Sequence, residues 1–85
     1  MNTFTLKFFS PDNYISFDEV VSILVNGVDG QSMVLANHAP YLIYMHSGNV
    51  VVKLRNEKEE NIMINSGILK VSYNNCSIVT NTISR

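Results

Sequence analysis

The fold this sequence predicts is all-β, an antiparallel sandwich or barrel built as a single domain over residues 1–85. Three observations predict it. Val, Ile and Thr supply 22 residues against eight for Ala and Leu together, and β-branched side chains suit a pleated surface better than a helix. Apolar and polar residues alternate along much of the chain, the period of a strand with one dry face. Turn residues interrupt that alternation at intervals of about 8–12 residues, and no apolar stripe at helical spacing is long enough to make a helix.

Each element follows from its own residues. In Thr3-Phe4-Thr5-Leu6-Lys7-Phe8 the apolar side chains Phe4, Leu6 and Phe8 share one face. Ser10-Pro11-Asp12-Asn13 and Asp29-Gly30 are turn signals that bound the next stretch. From Gln31 to Leu42, two apolar strands are joined through Asn37-His38-Ala39-Pro40. Pro40 fixes its own φ and drives Ala39 to an extended conformation, so this connection has a set shape. After the turn His46-Ser47-Gly48-Asn49, Val50, Val52 and Leu54 oppose Val51, Lys53 and Arg55. Lys53 to Glu60 then reads as a hairpin tip in solvent, with Asn56 in the turn. Ile62 and Ile64 alternate with Asn61, Met63 and Asn65, and Leu69 and Val71 with Lys70 and Ser72. Past Tyr73-Asn74-Asn75, Cys76 and Ile78 flank Ser77.

Size and charge exclude several functions. A domain this small buries only about 60% of its unfolded surface, which leaves little room for a deep catalytic cavity. Six Lys and Arg against seven Asp and Glu give a formal charge of −1, whereas nucleic-acid binders carry a clear basic surplus. One Cys forms no internal disulfide and suits a reducing compartment. Met1-Asn2-Thr3-Phe4-Thr5 lacks a basic region followed by an apolar core, so no secretory leader is expected. No apolar run nears the roughly 20 residues of a membrane-spanning helix. A soluble intracellular domain is the expectation.

The residues that carry chemistry do not assemble. His38, His46 and Cys76 match no metal spacing, and Cys76 takes the inward phase of its strand, where a thiol behaves as a small hydrophobe. No Ser lies in a Gly-x-Ser-x-Gly elbow. Gly27-Val28-Asp29-Gly30 is too short for a phosphate loop and opens no helix. Glu57, Glu59 and Glu60 sit on the expected hairpin tip in water. No catalytic residue, metal, cofactor or small-molecule substrate is therefore expected. The segment Gln31 to Leu42 stands apart: a shaped connection carrying His38, near Met33, Tyr41 and Tyr44, suits a partner-binding surface, while His38 could equally do no more than bond the local backbone.

That segment carries a resemblance. Gly27-Val28-Asp29-Gly30-Gln31-Ser32-Met33-Val34-Leu35-Ala36-Asn37-His38-Ala39-Pro40-Tyr41-Leu42 is similar to the pattern Gly-x-x-Gly-x-x-Gly, two apolar positions, then Pro-Gly-His-Ala-Pro-Leu-Leu of the ATP synthase epsilon-chain family, called delta in mitochondria. His46-Ser47-Gly48-Asn49-Val50-Val51-Val52 resembles the family's Lys-Pro-Gly turn before a Val-rich strand. Asn65-Ser66-Gly67-Ile68-Leu69-Lys70-Val71 resembles Ser-Gly-Gly-Phe-Leu-Glu-Val, and Asn75-Cys76-Ser77-Ile78-Val79-Thr80 its closing Asn-x-Val-Thr-Val-Leu strand. The opening strand followed by Ser10-Pro11 and Phe17 fits as well. Gln31 stands where the family commonly has an acid, Met33 replaces a glycine, and Ala36-Asn37 replaces Pro-Gly.

The resemblance implies a flattened sandwich of about ten strands, the family's N-terminal domain, with the helical hairpin that follows it in the family absent after Arg85. It implies a non-catalytic central-stalk subunit of a proton-translocating rotary ATP synthase, with the gamma subunit and the c-ring as partners. Its place would be peripheral, on the cytoplasmic side of the bacterial plasma membrane. Gly30, Gln31, Asn37, His38, Ala39 and Pro40, aided by Tyr41 and Leu42, would form one end of the sandwich meeting the ring loops or the foot of gamma, and loss of the acid at Gln31 removes a salt bridge there. A gamma-facing surface would leave an apolar patch exposed on the isolated domain. The alternative is a stand-alone β-sandwich binding a ligand or glycan in an aromatic-lined hollow.

Overall fold

Nine strands follow one another in the computed structural model, which describes residues 2–85 and holds no helix among them. They are β1 (Phe4–Ser10), β2 (Asn13–Gly27), β3 (Gly30–Leu35), β4 (His38–Met45), β5 (Gly48–Leu54), β6 (Glu59–Ile64), β7 (Gly67–Tyr73), β8 (Asn75–Thr80) and β9 (Ile83–Ser84). The alternating segments all became strands, and the turn signals fall between them. At the hairpin tip, Lys53 pairs with Glu59 and Val52 with Glu60, leaving residues 55–58 as the turn.

Strand β2 is the organising element. Its first half pairs with β1, and its second half pairs with β3 on the same side and with β5 on the other. The change of layer occurs where Glu19 takes a positive φ of 54° and the register slips against both neighbours. A bulge bends a strand and re-aims its side chains. Here the buried positions step from Ile15 and Phe17 to Val20, then to Ile23 and Val25. One bent strand thus serves both layers where two short ones would otherwise stand. The first layer runs β2–β1–β8–β7–β4 and the second β3–β2–β5–β6–β9. They are stitched again at Gly27, which pairs with Met45 of β4.

One pairing departs from the antiparallel expectation. Strands β1 and β8 run parallel, Leu6 beside Cys76 and Phe8 beside Ile78. Between the layers, Leu6, Phe8, Ile23, Ile62, Leu69 and Ile78 are fully buried, and Phe8 meets Phe17 edge to face at 6.1 Å between centroids. Burying each such side chain stabilises the fold by about 1.5–3 kcal/mol before entropy is counted. No buried side-chain polar atom among the described residues lacks a hydrogen-bond partner.

The Asn37-His38-Ala39-Pro40 connection is shorter than the sequence suggests. Only Ala36 and Asn37 lie outside strands, and Asn37 makes the reversal at φ 63°, a left-handed conformation that Asn adopts at little cost. His38, Ala39 and Pro40 already belong to β4. Between His38 and Tyr41, β4 carries one residue more than β7 does between Tyr73 and Val71, so Pro40 sits in a bulge, where its missing N–H leaves no gap in the ladder.

Candidate functional site

The eight residues that sequence singled out do not gather at one end. Gly30 and Gln31 open β3 beside Gly27, whereas Asn37 and His38 follow its far end. Strand β3 is extended throughout, and at about 3.3 Å per residue that places the two groups roughly 20 Å apart. Ala39 and Pro40 stay with His38 at the bulge, and Tyr41 and Leu42 lie midway along β4. The expectation of a single end is therefore corrected: the segment runs along an opening between β3 and β4, which follow each other in the chain without pairing.

That opening is shallow. Gly27–Gly30, Ser32 and Tyr41–Tyr44 line a cleft of about 240 Å³, below the roughly 300–1,000 Å³ of small-molecule sites. His38 is exposed; its Nδ1 N–H donates to the Ala39 carbonyl at 3.0 Å, and its ring lies 4.5 Å from that of Tyr41. The backbone contact and the exposed ring are both real, so neither earlier reading of His38 displaces the other. Tyr41 turns inward beneath it, and burial pushes its hydroxyl above the ordinary 10.0, reinforced by the nearby Cys76. Burial likewise pushes the Cys76 thiol above 9.0, opposed in part by a backbone hydrogen bond at Ser72. A buried thiol held protonated is a poor nucleophile. Among the described residues no three His, Cys, Asp or Glu side chains converge as a metal site.

The outer face of the first layer holds an exposed apolar patch of the kind the resemblance implies, built mostly from residues the sequence does not single out. Phe9 pairs with Tyr14 of β2 and with Val79 of β8. Val79 in turn pairs with Ile68 of β7, and Ile68 with Tyr44 of β4. Tyr14, Phe9, Val79, Ile68 and Tyr44 therefore form one row across five strands, each side chain between 39% and 59% exposed. The Phe9 and Tyr14 rings touch, 5.2 Å between centroids. Half-exposed side chains of this size present an apolar surface on the order of 400 Å², a patch of the size that is often functional on a small domain. The second layer carries a smaller apolar group, where Leu24 lies between Met33 of β3 and Val51 of β5. Lys53 beside it faces Glu59.

Comparison with known proteins gives these surfaces a context. A family described as the ATP synthase delta/epsilon chain, beta-sandwich domain, matches residues 3–85. The ATP synthase epsilon chain of Wolbachia pipientis from Culex pipiens is 55% identical over 83 residues, 98% of this chain and 74% of that one. The epsilon chain of Chlorobium limicola is 31% identical over 81 residues, covering 95% and 92%. Among solved structures, a chain of the Euglena gracilis mitochondrial ATP synthase superposes with a TM-score of 0.88 at 23% identity, over 96% of this chain and 52% of that one. One from the central stalk and c-ring of the Tetrahymena thermophila mitochondrial enzyme gives 0.78 at 12% identity, over 98% and 66%. At those identities the likeness is of fold, and this chain spans about half and two thirds of the two structures.

Proposed function

The chain belongs to the ATP synthase delta/epsilon family, matching its beta-sandwich domain, and from that premise we propose that it is a non-catalytic central-stalk subunit of the rotary ATP synthase. It attaches to the gamma subunit and to the polar loops of the membrane c-ring, so that rotation of the ring reaches gamma as torque. Its place is peripheral, on the cytoplasmic side of a bacterial plasma membrane. The observation that carries this reading is the five-strand apolar row, a flat protein-binding surface on a domain whose chemistry-bearing side chains are scattered.

Transmitting torque demands stiffness more than chemistry. Two close-packed layers with interdigitated inner faces resist shear, and a strand shared by both layers couples them covalently. The segment Gly30, Gln31, Asn37, His38, Ala39, Pro40, Tyr41 and Leu42 lies along the opening beside the apolar row and serves as the second contact, toward the ring loops or the foot of gamma. Titration calorimetry of the 85-residue chain against gamma of the same organism tests the reading. One-to-one binding with a negative heat-capacity change is expected, because apolar surface is buried. Absence of binding refutes attachment through this domain.

A further inference from the structure

The apolar row has a charged companion. Two residues along each strand, the same outer face presents Ser16 of β2, Lys7 of β1, Ser77 of β8, Lys70 of β7 and Leu42 of β4, each beside the next in the register. Lys7 and Lys70 are both exposed and flank Ser77. Neither takes part in a salt bridge among the described residues; the two pairs there are Arg55–Glu19 and Arg85–Glu60. The nearest acid on this face is Asp18, one row further on, which accepts a hydrogen bond from Thr5 at 3.4 Å. By contrast, Lys53 on the opposite layer stands across from Glu59. The first-layer face thus carries two lysines outside any ion pair among the described residues, with Asp18 the nearest acid, alongside the five-strand apolar row.

Strand spacing fixes the pattern. Lys7 and Lys70 are two strands apart, so their backbones lie about 10 Å from one another, and their row is about 7 Å from the apolar one. We propose that this face recognises a protein surface that sets two carboxylates, about 10 Å apart, beside an apolar ridge, the carboxylates reaching Lys7 and Lys70 while the ridge lies along Tyr14 to Tyr44. This deepens the stalk-subunit reading and rests on it, since there the occupant is gamma. The apolar row supplies the buried area, and the lysines at its rim fix orientation and steer the encounter. A partner lacking the carboxylates leaves two lysines to be desolvated unpaired, which selects against it.

The test compares binding of gamma to the full chain and to the double variant Lys7→Glu/Lys70→Glu. Both side chains point into solvent, and unchanged circular dichroism and melting temperature establish that the variant folds. At low ionic strength its Kd for gamma is expected to rise about tenfold or more, chiefly through a slower on-rate. The parent's affinity should fall as salt approaches about 1 M, where charges more than about 3 Å apart are screened, and carboxylate-to-lysine changes on gamma should restore the variant. Should charge reversal impair folding, Lys7→Gln/Lys70→Gln replaces it with an expected loss of about threefold. Parent binding that is insensitive to salt, with variant Kd within about twofold, overturns the charge pattern and leaves the stalk reading standing. No binding of the parent to gamma refutes that reading, and the proposal with it. Lysine-dependent binding to phosphatidylglycerol vesicles in that case assigns the face to an anionic lipid surface instead.

Discussion

Gly67 is the position where one added carbon does most damage. It begins β7, paired with Met45 of β4 on one side and Thr80 of β8 on the other. A Cβ built there lies 2.5 Å from the Val79 carbonyl oxygen and 3.1 Å from the Thr80 Cβ. The first contact is with backbone, so no rotamer change relieves it, and β8 must move by most of an ångström. That strand cannot shift alone, because it is zipped to β1 on its far side. Overpacking of this kind costs about 1–3 kcal/mol, and backbone neighbours put it at the upper end. A domain of 85 residues has about 4–13 kcal/mol in total, and each kcal/mol moves the melting temperature by about 4–8 °C. Gly67→Ala is thus expected to melt about 10–20 °C lower by calorimetry or far-UV dichroism. Gly30→Ala is the control: its Cβ meets nothing within 4 Å, and only the φ of 123° opposes it, which costs about 1–2 kcal/mol. A Gly67→Ala melting point within about 4 °C of the parent, or no lower than that of Gly30→Ala, would refute the steric argument.

Three further outcomes follow from other residues. Asn37 holds φ 63°, so Asn37→Val should cost about 1–2 kcal/mol in denaturant titration and Asn37→Gly almost nothing; equal losses would show that the side chain, not the backbone, matters there. Folding raises Cys76 above 9.0 and Tyr41 above 10.0 through burial, so stability is full below pH 9 and falls as pH climbs past it, because the unfolded chain ionises first. Cys76→Ala should lower the whole curve but flatten its first decline, and an unchanged slope would exclude the thiol as its source. Calorimetry with ATP should give no saturable heat, because no phosphate loop exists in the sequence; a defined binding isotherm would overturn that.

What sequence disclosed and what it hid divide along physical lines. Phe4, Leu6 and Phe8, or Ile62 and Ile64, announce their strands because one phase is dry and the other wet. The stretch Asn13–Gly27 was harder, since the dry phase shifts at Glu19 and Val21 and Leu24 add apolar residues on the other side, so no single period runs through it. Gly30 and His38 are near in the chain but not in space, because an extended β3 keeps them apart. The resemblance implies an exposed apolar patch, but which residues compose it is illegible for the opposite reason. Tyr14, Phe9, Val79, Ile68 and Tyr44 each look like a lone hydrophobe on a wet face, and only the register of four pairings, one of them parallel, lines them up. Single exposed hydrophobes are ordinary; their alignment is a property of topology.

The parallel union of β1 with β8 also dictates when this protein can exist at all. The chain's first strand finds its second neighbour only at Asn75–Val79, so during translation β1 and β2 form a hairpin with one edge open until β8 has left the ribosome. Until then Leu6 and Phe8 lack the cover that Cys76 and Ile78 provide, and such an edge invites pairing with neighbouring nascent chains. A ribosome that stalls before β8 is complete therefore leaves β1 with an open edge, the state most exposed to aggregation and proteolysis.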